Sequence, residues 1–166
     1  MLIVGGGSEV DSLRKSDQQS DADQESVHWA AIDVMSRNAL RFHASLDQSW
    51  TLVADLGELR ESLASSPRCE TIIFDCGNWL RSESTLPHNW DVTSDSIALA
   101  LGGCLGAQEV VLLKSISTQP DMPVADLARA GVIDAYAETA LANAKMAASK
   151  YGIGLNLSLV NLSVEI

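Results

Sequence analysis

The stretch Leu86 to Ser96, reading LPHNWDVTSDS, holds the densest set of groups able to do chemistry. Up to Asp95 it carries a proline, a histidine, a tryptophan, two carboxylates and two hydroxyls, and the apolar run Ile97 to Leu101 follows at once. Proline and asparagine favour a loop, and Thr93 or Ser94 can accept hydrogen bonds from the first free amides of a helix. The polar groups are therefore expected in a loop and on the first turn of a helix starting near Ser94. A helix start presents free N–H groups and a partial positive charge, which suits phosphate. Asp95 in that turn could organise Mg²⁺ or a lysine rather than touch phosphate directly. The alternative is an ordinary capping loop, in which Thr93, Ser94 and Asp95 only satisfy backbone amides.

The elements that would position these groups can be read from the hydrophobic pattern. Leu2 to Val4 reads as a short buried strand entering the turn Gly5-Gly6-Gly7. Glycines there would let backbone N–H groups approach a ligand with no Cβ in the way, although a plain strand-to-helix turn explains the same residues. A polar segment, Ser8 to Asp23, follows, and its hydrophilic part Ser16 to Gln24 is expected to be an exposed loop. Gln24 to Leu46 is helical in pattern, with Val27, Ala30, Ala31, Val34, Met35, Asn38 and Phe42 on one stripe and Asp33, Arg37 and Arg41 opposite. His28 and Trp29 stand near its start, and His28 reads as a packed or surface residue rather than a catalyst.

Trp50 to Ala54 reads as a strand, Leu56 to Ser65 as a short helix and Thr71 to Phe74 as a buried strand. Asp75 lies just past that strand, where open α/β sheets collect ligands. Ser94 to Leu105 is expected to be a glycine-broken helix, and Val110 to Leu113 a fully apolar strand that delivers Lys114 and Ser115 at its C-terminal end. Lys114 there could reach a nucleotide phosphate or be a solvated end residue. After a loop from Ile116 to Pro123 come a short helix, Val124 to Ala130, and a longer one, Ala135 to Lys150, with Ala137, Ala140, Leu141, Ala144 and Ala148 inward. Leu155 to Val160 is the last strand. Strands alternating with helices imply a parallel sheet covered on both faces, within one domain.

The 166 residues suffice for one domain with a real core, and 46% hydrophobic with 20% charged residues is a globular balance. A net charge of −11 argues against duplex DNA or an anionic membrane as partner, but not against a small anion in a locally positive pocket. Cys69, Cys76 and Cys104 lack zinc-ligand spacing and suit a reduced cytoplasm. MLIVGGG has no basic segment before its apolar residues, so no signal peptide is expected. The longest apolar run, Ile97 to Ala107, is about half a membrane span and holds three glycines, so solubility is expected.

The central stretch resembles the LPHSWDVTSDS segment of the amino-acid-kinase superfamily, in the branch containing the phosphoryl-transfer enzyme of methanofuran biosynthesis; Asn89 stands where that segment has serine. LIVGGGSEVDSLRKSD is similar to the family's second strand and glycine turn, where a V-x-G-G-G run precedes V-D-x-x-R. HWAAIDVMSRNA resembles the following helix, VVLLKS the strand leading into the nucleotide loop, and AGVIDAY a later helix junction. The resemblance implies a three-layer α/β/α sandwich with a mainly parallel sheet. It implies transfer of the γ-phosphoryl of ATP, with Mg²⁺, to a small phosphorylated or carboxylated acceptor; in the methanofuran branch that acceptor is an aminomethylfuran-methyl phosphate. Gly5, Gly6 and Gly7 would hold the acceptor, with Arg14 and His88 as further contacts. Asp95 would organise the transfer site, Thr93 and Ser94 would lie beside the phosphates, and Lys114 and Ser115 would lie at the nucleotide edge. No resident metal ligand is implied.

One departure bears on activity. The superfamily's first strand ends in a K-x-G-G turn whose lysine stabilises the transferring phosphoryl, and no K-x-G-G occurs in this sequence. Losing such a charge could slow transfer by roughly 10³–10⁵, by analogy with a lost arginine finger. The chain is thus expected to be a single domain without the family's first strand. Three explanations are open: a longer gene product, a short form that binds without catalysis, or another basic group in the lysine's place. The uncovered sheet edge would invite self-association into a homo-oligomer. The competing function is a non-catalytic nucleotide- or metabolite-binding, or structural, relative.

Overall fold

The structure, a computed structural model, describes residues 1–17, 23–46, 50–65, 71–116 and 122–162. The chain divides into two compact units, Met1–Trp90 and Asp91–Ile166. Both are mixed α/β, and the strands form two separate two-stranded parallel sheets among the described residues, where one continuous sheet was expected.

In the first unit, β1 (Thr51–Val53) pairs in parallel with β2 (Ile72–Phe74), whose three residues are all buried. Leu2 joins β2 through a single bridge to Ile73, donating to the Ile72 carbonyl at 2.7 Å and accepting from the Phe74 amide at 2.9 Å. The strand expected over Leu2–Val4 is therefore reduced to one bridging residue. From Gly7 the chain is already helical: α1 (Gly7–Asp17) carries Glu9 in its first turn and Arg14 and Lys15 in its last, charges that complement the helix dipole. Within the expected loop Ser16–Gln24, Ser16 and Asp17 instead end α1, Asp23 and Gln24 open the next helix, and residues 18–22 lie outside the described residues.

Helix α2 (Gln24–Ser45) starts where Asp23 accepts the Ser26 N–H at 3.2 Å. Its buried face comprises His28, Ala31, Ile32, Val34, Met35 and Ala39. That face is turned by about one residue from the expected stripe, since Val27, Ala30, Asn38 and Phe42 are only half-buried. Helix α3 (Leu56–Ser65) buries Leu56 and Leu59 and begins where Asp55 accepts the Glu58 N–H at 2.9 Å. Helix α4 (Gly77–Ser82), for which the sequence pattern has no signal, buries Trp79 and Leu80. Asp75, between β2 and α4, accepts from the Ser36 hydroxyl at 2.6 Å and the Gly77 N–H at 3.0 Å, so its carboxylate ties α2 to the start of α4.

In the second unit, α5 (Ser94–Leu105) runs unbroken through Gly102 and Gly103. These glycines mark close packing rather than a break. A Cβ on Gly103 would lie 2.5 Å from the Ala144 Cα, and one on Gly102 would lie 2.5 Å from Val110 Cγ2. Gly106, at φ 64°, ends the helix, with the Ala107 amide returning to the Gly102 carbonyl and the Gly106 amide to that of Gly103, a Schellman closure. Strand β3 (Glu109–Lys114) pairs in parallel with β4 (Asn156–Asn161). β3 alternates instead of being buried throughout: Val110 and Leu112 face the core, while Val111 and Leu113 are 45% and 50% exposed. Between the strands come α6 (Val124–Arg129) and α7 (Ala137–Ser149), and α7 buries the five residues the periodicity selects, Ala137, Ala140, Leu141, Ala144 and Ala148. No helix among the described residues is long and apolar enough to cross a membrane.

Candidate functional site

In the second unit, β3 ends at Lys114 and α5 begins at Ser94, and the two meet in an ion pair. Lys114 Nζ donates to both Asp95 oxygens at 2.7 Å. The lysine expected at the strand end and the carboxylate expected in the first helical turn are thus partners. Thr93 occupies the helix-capping position, yet its side chain makes no capping bond. Asp134, from the turn before α7, does that work across 38 to 41 residues of sequence. Its Oδ2 accepts from the Thr93 amide at 2.8 Å, the Thr93 hydroxyl at 2.9 Å and the Ser96 amide at 3.0 Å, and its Oδ1 accepts from the Ser96 hydroxyl at 2.5 Å. The Asp134 N–H in turn donates to Asp95 Oδ2 at 3.2 Å. The capping reading of Thr93 is therefore corrected: its hydroxyl is a donor to Asp134, because a carboxylate outcompetes a hydroxyl as acceptor for the orphan amides of a helix start.

Asp95 is 6% exposed. Burial pushes its carboxyl above the usual carboxylate range. The Lys114 hydrogen bonds and charge pull it back, and the negative charge of Asp134 pushes it up again. An ammonium held this way is fixed in direction, and it sits beside a helix N-terminus, where anions are favoured. Ser94 is half-buried as the first residue of α5, and Ser115 is exposed just beyond β3.

The stretch Leu86–Ser96 crosses the boundary between the units, so Leu86–Trp90 belongs to the first. There, Asn38 Nδ2 donates to the Gly5 and Gly6 carbonyls, both at 3.1 Å, and so fixes the glycine turn from α2. Two of the three glycines answer to backbone needs. Gly7 has φ 57°, and a Cβ on Gly6 would overlap Val10 Cγ2 at 2.0 Å. Arg14 lies over the Trp90 ring at 4.9 Å and donates to the Trp90 carbonyl at 3.3 Å, while Trp90 Nε1 donates to Asp17 at 2.6 Å. Arg14 Nε is the buried side-chain polar atom without a hydrogen-bond partner among the described residues. His88 stacks on His28 and lies 3.2 Å from Glu25.

The residues missed from sequence are Asp134 and Asn38. Asp134 is a lone carboxylate in AGVIDAY, bounded by buried Ile133 and Ala137, and an acid in an apolar junction is the signal that could have found it. Asn38 is the one amide in the expected apolar stripe. Cys76 is buried with its thiol pushed up to about 12 by burial first and by Asp75 second, so it is inert as a nucleophile. No group of three or more His, Cys, Asp or Glu among the described residues could hold a metal ion. No family model matches the chain, and no curated protein matches it.

Proposed function

We propose that the chain is a phosphotransferase of the amino-acid-kinase type, built as a three-layer α/β/α sandwich, that uses ATP to phosphorylate a small phosphorylated or carboxylated metabolite. The observation that carries this reading is the Lys114 ammonium, clasped by both oxygens of Asp95 at the start of α5. Phosphoryl transfer depends on positioning and charge neutralisation more than on covalent chemistry, and a directed cation at a helix N-terminus supplies both. Lys114 would meet the nucleotide phosphates, with Ser94 and Ser115 beside it, while Asp95 would set the angle of the ammonium. Thr93 would act through Asp134 instead of on phosphate. In the first unit, taken by itself, an anionic oxygen would satisfy Arg14 Nε, which has no hydrogen-bond partner among the described residues. Asp95 and Asp134 are committed to Lys114 and to the helix cap, so they do not form a resident Mg²⁺ site; magnesium would enter as the counter-ion of the ATP substrate.

A second reading, a non-catalytic nucleotide- or metabolite-binding relative, draws on the same network. The Ser96 amide of the helix start is already bonded to Asp134, and the ammonium already has a counter-ion. A transfer assay on the purified chain with radiolabelled Mg·ATP and a panel of phosphate and carboxylate acceptors separates the two. Acceptor-dependent loss of the γ-phosphoryl is expected of a kinase, and Mg·ATP binding with no transfer to any acceptor would sink the catalytic reading.

A further inference from the structure

The first unit contains an aromatic and acid-base cluster that the proposed transfer does not use as a whole. His28, on α2, is 4% exposed, and its ring stacks on that of His88 with centroids 5.4 Å apart and planes 21° apart. Trp29 meets His28 edge-on at 5.2 Å and His88 at 4.6 Å. Glu25, one turn earlier on α2, places the same oxygen 3.2 Å from His88 Nδ1 and 3.4 Å from Trp29 Nε1. From α4, the Arg81 guanidinium lies 5.1 Å from the Trp29 ring centroid and is paired with Asp33. The segment Leu86–Trp90 is thus held to α2 by two imidazoles, with Glu25, Asp33 and Arg81 as the charged groups around them.

We propose that the His28–His88 stack is an acid-sensitive latch, which holds Leu86–Trp90 against α2 while at most one ring is charged and loosens that segment when both are protonated. The argument rests on the unequal surroundings of the two rings. His88 is exposed, and its Nδ1 lies 3.2 Å from a Glu25 oxygen. His28 is buried with its face on His88, so a second proton would place a desolvated charge beside a like one. Burial first, and the charge of His88 second, hold His28 below the ordinary histidine value, against smaller opposing effects from Asn89 and Glu25. With the latched value below the released value, the released segment binds more protons. The latch is therefore intact above the ordinary histidine value of about 6.5 and weakens as pH falls below it. This holds whether or not the chain transfers phosphate. If His88 does contact the acceptor, the latch would make acceptor binding fall with acid.

The test is an NMR titration of the whole chain from about pH 8 to 5, a range that brackets ordinary histidine, following the histidine ring signals and the Asn89 and Trp90 amides. In the wild type, His28 should titrate below the ordinary value, and the amides should shift with it. In H28F, which keeps an aromatic ring but cannot charge, the acid shift of the amides should vanish. In H88F, His28 should titrate at higher pH than in the wild type, because the like charge is gone. His28 titrating at or above the ordinary value, an acid shift unchanged in H28F, or a His28 titration unmoved in H88F would each overturn the latch.

Discussion

Four donors converge on the Asp134 carboxylate while its own N–H reaches Asp95, so one residue both closes the start of α5 and orients the partner of Lys114. Removing it would strand the Thr93 and Ser96 amides, at about 1–3 kcal/mol for each buried group left unsatisfied. Asp134→Ala should therefore lower stability by about 3 kcal/mol in urea titration, and a change within measurement error would mean that water replaces the cap. In the proposed transfer, Asp95→Asn should cut the rate by about 10²-fold, the scale of a misplaced group, by releasing the ammonium from its fixed direction; transfer equal to wild type would end its assignment. Asp95 also carries a pH signature. Its folded-state value lies above the unfolded one, so ionising it opposes folding as pH rises through that window, and Lys114 offsets the cost. Protonation then frees Lys114 of its counter-ion at a pH above the usual carboxylate value of about 3.9. A ¹³C titration of the Asp95 carboxyl should show the raised midpoint, and a midpoint at or below the usual value would contradict the burial argument. None of this follows from local sequence. The local rule assigns the cap to Thr93 or Ser94, and the group that performs it lies some 40 residues away.

At the scale of elements, α5 and α7 approach closely because Gly103 leaves room for the Ala144 backbone. Gly103→Ala should cost about 1–3 kcal/mol through overpacking, since the obstacle is backbone that cannot swing aside. A neutral or stabilising Gly103→Ala, measured by thermal unfolding, would show that the helices can separate without loss. Period was the most legible signal. The inward face of α7 and the bounds of α5 and α3 follow from spacing, because one apolar stripe against one core admits little freedom. Short elements were less legible. Leu2–Val4 has the composition of a strand but keeps only one bridge, and α4 exists because Trp79 and Leu80 find a core that their six-residue neighbourhood does not announce. The apolar run of β3 concealed an alternation, since Val111 and Leu113 are as hydrophobic as their buried neighbours.

For the whole molecule, composition bounds behaviour more than it names it. A net charge of −11 should make the fold self-repelling, so its urea midpoint should rise with added salt; a midpoint that falls would show that attractive pairs such as Glu9–Arg41 and Asp33–Arg81 outweigh the net field. Against that acidic background, Lys114 is a half-buried cation paired with a buried carboxylate, and the proposed nucleotide contact rests on it. The most direct measurement is calorimetric titration of Mg·ATP into the 166-residue chain and into Lys114→Met. Saturable binding by the wild type, weakened at least about tenfold in the variant as expected for loss of a charge-assisted contact, is the predicted result. No binding by the folded wild type, or equal binding by both, would mean that the Lys114–Asp95 pair only fastens β3 to α5.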